Sequence, residues 1–439
     1  MRISHIFLYE WKHFVRSPFK VVALLLFVVA AGYGLHNGAT LYSEQTLEIE
    51  KIKEKIEEDR QTYISYYDEG KPGPENAPWI DMGAPYWAVW FSYTYHFKTP
   101  SPALVYSIGQ AEQYGFYKRA TFWASPYDPD MTKEIANPER LQTGTLDFTF
   151  AMLFLLPLLL LILLYNLKSM EAEQGFLSLI EVQTTSKNTW LSSRVAFYVG
   201  LLFLVITGLL IYGGLLTDVF SNAGAAFGRV LLYSFLYLLF WSVIYFLILL
   251  NGTSILGNTL RMVGIWLVLA FIIPAAVHQW ISMEKPANLM TDYIDATRDE
   301  RKALYDLPDS VFQGKLNAMF PEILTSPIVQ DSAKREEAYS NSSSALVNEL
   351  TKNSISTIER DNNEKNALIT KSYLLNPITF FQNQFNGISQ THYDDYQRFR
   401  NEIQQLIDKQ IHTMVLDTWN ERQVDKAKYL EYHQILSEI

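Results

Sequence analysis

Five stretches of this chain are too apolar and too poor in charge to face water along their length. They cover residues 21–35, 148–167, 195–216, 230–250 and 262–280, and none contains a charged side chain. Crossing the hydrocarbon core of a bilayer takes about 20 apolar residues in a helix. A core helix of a water-soluble protein keeps a polar stripe on its outer face, and these stretches largely do not. They predict a mainly α, polytopic helical membrane protein with five visible spans. The first is the shortest, and Lys20 at its start is expected to snorkel to the interface. Pro157 predicts a kink in the second. The run from residue 21 follows a basic segment and lacks a small-residue cleavage site, so it reads as an uncleaved anchor.

Short loops rich in Lys and Arg stay on the cytoplasmic side. With the N-terminus inside, the cytoplasmic pieces hold Arg2, Lys12, Arg16, Lys20, Lys168, Lys187, Arg194 and Arg261 against Glu10, Glu171, Glu173 and Glu181. That is a net charge of +4 and leaves −14 for the rest of a chain whose total is −10. Trp190, Trp266 and Trp280 lie near span ends, where aromatic belts form. The acidic balance argues against a nucleic-acid partner, which needs a basic surface. With no cysteine, there can be no disulfide, thiolate metal site or cysteine nucleophile.

This orientation gives a chain of successive parts: an amphipathic helix (1–20), span one (21–35), a first extracytoplasmic domain (36–147), span two (148–167), a cytoplasmic loop (168–194), spans three to five (195–280) and a second extracytoplasmic domain (281–439). Both outer domains read as mostly helical. In the first, Ile49, Ile52, Ile56 and Tyr63 recur at helical spacing over residues 44–67. Pro72, Pro74, Pro78 and Pro85 then break the chain, and the aromatic stretch 86–97 reads as a small core. In the second, Tyr396, Phe399, Ile403, Leu406, Ile407, Gln410 and Met414 trace one face of a long helix. Ser340–Ser344 is expected to cap another helix, over 345–371.

Residues 1–20 place Ile3, Ile6, Phe7, Trp11, Phe14 and Val15 on one face, with Arg2, Lys12 and Arg16 away from it. Such a helix lies along a membrane surface, and Pro18 ends it. In the loop 168–194, a short helix over 176–182 would offer Phe176, Leu177, Leu179 and Ile180 as an apolar surface. There is no GxxxxGK[ST] phosphate loop, no HExxH and no GxSxG; Gly109–Lys118 has the wrong spacing for the first. ATP hydrolysis is therefore not expected on this chain. His278 reads as interfacial, Asp394 and Asp395 as a solvated face, and the hydroxyls of Thr149, Thr207, Ser234 and Ser242 as bonded to their own helices.

In order and spacing these pieces resemble the permease subunit of an ATP-binding-cassette (ABC) transporter of the type-2 export class. The N-terminal helix with Trp11, Lys12, Arg16 and Pro18 looks like that family's interfacial elbow helix. Glu171-Ala-Glu173-Gln-Gly175, followed by Phe176, Leu177 and Leu179, is similar to its acidic-glycine signature before the coupling helix. Asn137-Pro138, Leu141, Gly144, Asp147-Phe148, Phe150 and Pro157, with residues 100–121, resemble a subgroup with large extracytoplasmic insertions, in the neighbourhood of the permeases that serve nitrous-oxide reductase maturation. Asn376-Pro377, Phe380-Phe381 and Gly387 resemble the segment leading toward the last span.

The resemblance implies a bacterial inner-membrane protein that pairs with a second permease subunit, identical or homologous, and docks a dimer of cytoplasmic ABC ATPase subunits. ATP and magnesium would bind there, with no cofactor on this chain. Residues 175–182 would be the coupling helix, and Glu171 and Glu173 would pair with basic groups of the ATPase or the elbow helix. An extracytoplasmic protein partner is also implied. The family has six spans, so a sixth is expected beyond residue 439. The alternative is an assembly or mechanotransmission complex that works on an outer partner without transport. A receptor with no ATPase would leave the coupling-type loop unexplained.

Overall fold

The computed structural model describes residues 3–130, 145–183, 186–285, 298, 302, 304 and 306–437; the stretch 137–144 singled out above lies outside them. The chain is mainly helical, and five helices are long and apolar enough to cross a membrane. That is the architecture of a polytopic helical membrane protein. The N-terminal helix α1 covers Ile3–Val15. Ser17 precedes α2, Pro18–Asp68, in which Pro18 stands in the first turn where its missing N–H costs nothing. So Pro18 starts a helix rather than only ending one. Span one and the charged helix expected over 44–67 are a single unbroken helix, because no residue between them stops it.

The second span, α4, consists of Phe148–Phe150, a π-turn at Ala151–Leu155 and Leu156–Leu164. Proline cannot donate the backbone hydrogen bond four residues back, so Pro157 leaves the Leu153 carbonyl without its usual partner. The Tyr237 hydroxyl donates to that carbonyl at 2.6 Å. The disturbance expected at Pro157 thus takes the form of a wide turn sealed by a neighbouring span. The remaining spans are α7 (Lys187–Leu216), α8 (Gly224–Asn251) and α9 (Ile255–Glu284). A second π-turn, Val268–Ile272, precedes Pro274 in α9, and Phe154 and Phe271 from the two wide turns lie 5.5 Å apart.

Successive spans alternate in direction. One end of the bundle gathers α1, the start of α2, the short helices α5 (Ser169–Glu173) and α6 (Leu177–Gln183), and the α8–α9 turn. The other end carries the described structure that lies outside the bundle. There the helix α3 (Pro85–Phe91) precedes strands β1 (Thr94–Phe97) and β2 (Tyr117–Ala120), paired antiparallel with Thr94 opposite Ala120. The later chain adds α10 (Asp309–Met319), α11 (Ser332–Asn341), α12 (Ser343–Ser372), α13 (Pro377–Ile388), α14 (Tyr393–Trp419) and α15 (Lys426–Ser437).

Two outer domains were expected, but the two segments share one core. Met82, Val89 and Phe122 pack with Phe320, Phe399, Ile403 and Trp419. The expected face of α14 is buried from Tyr396 to Met414, and the Gln410 amide donates to the Ala120 carbonyl at 3.0 Å, closing the edge of β2. Arg400, on the same helix, is buried 3.3 Å from Asp130 and 4.9 Å from the Tyr127 ring. Asp395 is a cap rather than a solvated acid, since it accepts from the His392 backbone N–H at 3.0 Å. The serine run does not cap α12 through a side chain: the Ser342 hydroxyl donates instead to the Ala338 carbonyl at 2.7 Å.

The 376–387 segment does not run on into a further span among the described residues. It forms α13, whose apolar face (Ile378, Phe381, Phe385, Ile388) belongs to the core of the span bundle.

Two glycines of α2 set how closely the bundle closes. A Cβ on Gly34 would stand 2.5 Å from the Asp147 carbonyl carbon and the Phe148 nitrogen, and one on Gly38 2.7 Å from the Val105 oxygen. These are backbone atoms that cannot rotate away. Gly34→Leu and Gly38→Leu should each destabilise the protein by about 1–3 kcal/mol or more through overpacking. Gly32→Ala, where a Cβ meets nothing within 4 Å, should be neutral or stabilising by up to about 1 kcal/mol. Thermal unfolding of the three variants in detergent measures the difference.

Candidate functional site

At the end of the bundle away from the soluble body, α5 ends at Gly175 in a left-handed turn with φ of 77°. The Gly175 N–H bonds the Ala172 carbonyl at 3.2 Å and the Phe176 N–H bonds the Glu171 carbonyl at 2.9 Å. This pair of bonds is a Schellman stop, which favours glycine at its left-handed residue. A Cβ on Gly175 would meet nothing within 4 Å, so the reason for glycine here is conformational. The stop turns the chain sharply into α6.

On α6, Leu177 and Ile180 turn inward and pack against the span core. Phe176, Leu179 and Val182 turn outward and are 55%, 56% and 86% exposed. The apolar surface expected from Phe176, Leu177, Leu179 and Ile180 is therefore divided: two of the four hold the helix to the bundle and two face out, joined by Val182.

Behind α6 lies a buried cluster of charge. Arg194, in the second turn of α7, donates from Nε to Glu10 Oε1 at 2.5 Å and from Nη1 to both Glu171 Oε1 and the Leu167 carbonyl. Its guanidinium lies 4.8 Å from the centre of the Trp190 ring. Lys20, also buried, donates to the Leu163 carbonyl at 2.8 Å and to Asn166 Oδ1 at 3.2 Å, and sits 4.8 Å over the Tyr198 ring. Two bases balance two acids in a place shielded from water. Glu10 Oε2, Glu171 Oε2 and His13 Nδ1 are buried with no hydrogen-bond partner. Burial, and after it the charge of Lys20, holds the pKa of His13 below its usual value.

Other bonds fasten α5 to the remaining spans. Glu173 Oε1 accepts the Ile255 N–H at 2.7 Å and so caps the start of α9. Lys168 Nζ donates to the Leu249 and Leu250 carbonyls at 3.0 and 2.5 Å, at the C-terminal, negative end of α8. Asn258 Nδ2 donates to Ser169 Oγ at 2.6 Å.

Several expectations change here. Lys20 does not snorkel to the interface: the Leu163 carbonyl, the Asn166 amide oxygen and, at 3.5 Å, the Tyr198 hydroxyl accept the hydrogen bonds that water would otherwise take. Lys168 and Arg194, read as loop charges, are buried for the same reason. Glu171 finds its base on α7, and the elbow-like helix α1 contributes an acid, Glu10, rather than a base. Glu173 binds a backbone N–H. Trp11, Lys12, Arg16 and Pro18 are all exposed. Trp11 shares its side of α1 with exposed Phe7, Leu8 and Val15, as a helix half-sunk in a membrane surface would. Glu10 was counted in the sequence only among the cytoplasmic acids, and its pairing with Arg194 was missed. Its signal was its place midway between Ile6 and Phe14, both buried, on one face of α1.

Of the four span hydroxyls, Thr207 and Ser242 bond their own helices, at 2.7 and 2.6 Å. Thr149 instead donates to the Tyr106 carbonyl at 2.9 Å, and the Ser234 hydroxyl is buried without a partner. At the opposite end of the bundle a pocket of about 210 Å³ is lined by Glu112, Asp147, Phe150, Phe154, Gln382 and Asn386 among others. Asp147 is committed there: it accepts from the Phe150 N–H at 2.6 Å and the Ile108 N–H at 3.2 Å. No family model, curated protein or solved structure matches this chain.

Removing Arg194 would strand two buried carboxylates. Arg194→Met should therefore cost about 3–5 kcal/mol, whereas Glu173→Gln, which keeps an acceptor for the α9 cap, should cost no more than about 1 kcal/mol. Denaturation in detergent distinguishes them. His13 adds a pH dependence of known sign. Its folded pKa lies below the unfolded value of 6.5, so its contribution is present above that pH and is lost as pH falls through the folded pKa. His13→Gln should flatten this acid limb of a stability–pH profile.

Proposed function

We propose that this chain is the permease subunit of an ABC exporter in a bacterial inner membrane, with its N-terminus cytoplasmic and its soluble body periplasmic or extracellular. A separate ABC ATPase dimer would bind ATP and magnesium and hydrolyse the nucleotide. A second permease subunit would complete the pathway. The observation that carries this reading is α6: with Phe176 just before it, the short helix presents three exposed apolar side chains, and its root in α5 is clamped to α1 and to three spans, α7, α8 and α9. A partner that pushes on Phe176, Leu179 and Val182 pushes on α5. From there the load reaches α7 through Glu171–Arg194, α1 through Arg194–Glu10, α8 through Lys168 and α9 through Glu173. Such a linkage converts motion of a docked ATPase into motion of spans, and a conformational change needs contacts that differ between its states.

A second reading keeps the ATPase and drops the cargo. The continuity of α2 from the bundle into the soluble core favours it, because span motion would pass to an outer protein partner without a flexible joint.

The test is capture of the candidate ATPase by the full chain in lipid. Truncating an interface anchor typically costs on the order of 1–2 kcal/mol, so Phe176→Ala with Leu179→Ala should weaken capture at least about tenfold. Both side chains are exposed, so thermal unfolding should stay unchanged. Capture equal to that of the unsubstituted chain would remove α6 as the docking element and the exporter reading with it. Stimulation of ATP hydrolysis by an outer protein, and by no small or lipid substrate, would favour the second reading.

A further inference from the structure

We infer that α12 and α13 form a re-entrant hairpin whose tip, Leu374 and Leu375, lies among the acyl chains of the leaflet on the soluble body's side. The inference rests on geometry alone and holds whether or not the chain docks an ATPase. Leu374 is 93% exposed and Leu375 70%, which is unfavourable for two adjacent leucines held in water. Two independent rulers place them below the membrane surface.

The first ruler is α12 beside the last span. Lys285, the residue after α9, pairs with Glu364. From that level α12 continues to Ser372, about eight residues and about 12 Å further. It does so alongside α9, with which it packs. The second ruler is α8. Arg229 is exposed near its outer end, and Tyr237 lies about eight residues, or about 12 Å, deeper. The Phe381 ring of α13 is 4.9 Å from the Tyr237 ring and 6.4 Å from that of Phe240. One hydrocarbon leaflet is about 15 Å thick, so the first ruler puts the end of α12 within it and the second puts Phe381, near the start of α13, within it; the turn joins these two ends.

The chemistry of the hairpin fits that depth. Its inner face is aromatic and sealed: Phe380 lies 5.5 Å from Tyr373 and 6.3 Å from Tyr233, and the Asn383 amide donates to the Tyr373 hydroxyl at 2.7 Å. Span residues at a similar depth on α8, Leu236 and Leu239, are likewise exposed and apolar. The exposed cation nearest the tip, Lys371, is on α12, where side chains lean toward the helix N-terminus. Its stem therefore runs up toward the headgroups, as a snorkelling lysine's does. Acyl chains are the occupant that an uncharged leucine pair at this depth selects.

The chain has no cysteine, so single spin labels can be placed without background. Leu374→Cys, Val243→Cys on an exposed position of α8 and Asn363→Cys on α12 would each be labelled in the full chain and reconstituted in phosphatidylcholine vesicles. Power-saturation spectra would be recorded with oxygen, which concentrates in acyl chains, and with a water-soluble nickel chelate. Oxygen should relax the Leu374 label more strongly than nickel, as at Val243, and the order should reverse at Asn363. Nickel access at Leu374 equal to that at Asn363 would overturn the inference. Protection from both reagents with dipolar broadening between labels would also overturn it, by assigning the tip to a second copy of this chain. Because all three positions are exposed, the labelled proteins should unfold at the same temperature as the unsubstituted chain.

Discussion

A guanidinium shut away from water must meet its counter-charges inside the protein, and Arg194 meets them on two elements that are far apart in the chain. Glu10 brings α1 against the bundle and Glu171 brings α5. Isolated burial of an ion costs far more than any single contact returns, so such a group is tolerated only when paired and hydrogen-bonded. The pairing fixes where α1 lies, which side of α5 faces in and hence which side of α6 faces out. Lys20 and Lys168 repeat the device with backbone carbonyls in place of carboxylates. The end of the bundle that lacks a soluble domain is thus held by charge, while the other end is held by glycine-permitted backbone contact and a shared apolar core.

Much of this was legible in the chain. The five spans follow from length and absence of charge, and the buried face of α14 follows residue by residue from its periodicity. The apolar side chains of α6 were also visible, though not their division into an inner and an outer pair. That division depends on where the Schellman stop at Gly175 aims the chain, and a spacing rule does not carry that angle.

What was not legible had physical causes. Lys20, Lys168 and Arg194 look like loop charges because burial of a base depends on acceptors from distant segments. The single soluble core was read as two domains because its halves are separated by four spans, and local pattern says nothing about pairing at that distance. The α12–α13 hairpin is the same kind of case. A short amphipathic helix presents the same sequence whether its apolar face meets a soluble core or the side of a span.

The length of α2 has a mechanical consequence. Its 51 residues make a rod about 77 Å long, of which about 30 Å lies in hydrocarbon. The projecting part is longer than the embedded part. A tilt of about 10° at the membrane would sweep the far tip sideways by about 7 Å over an arm of about 40 Å. That tip is packed into the soluble core through Tyr63, Tyr66 and Tyr67. The bilayer then serves as the fulcrum: with an embedded arm of about 30 Å and a projecting arm of about 40 Å, a displacement at the far end of the span arrives at the outer body about a third larger, with correspondingly less force.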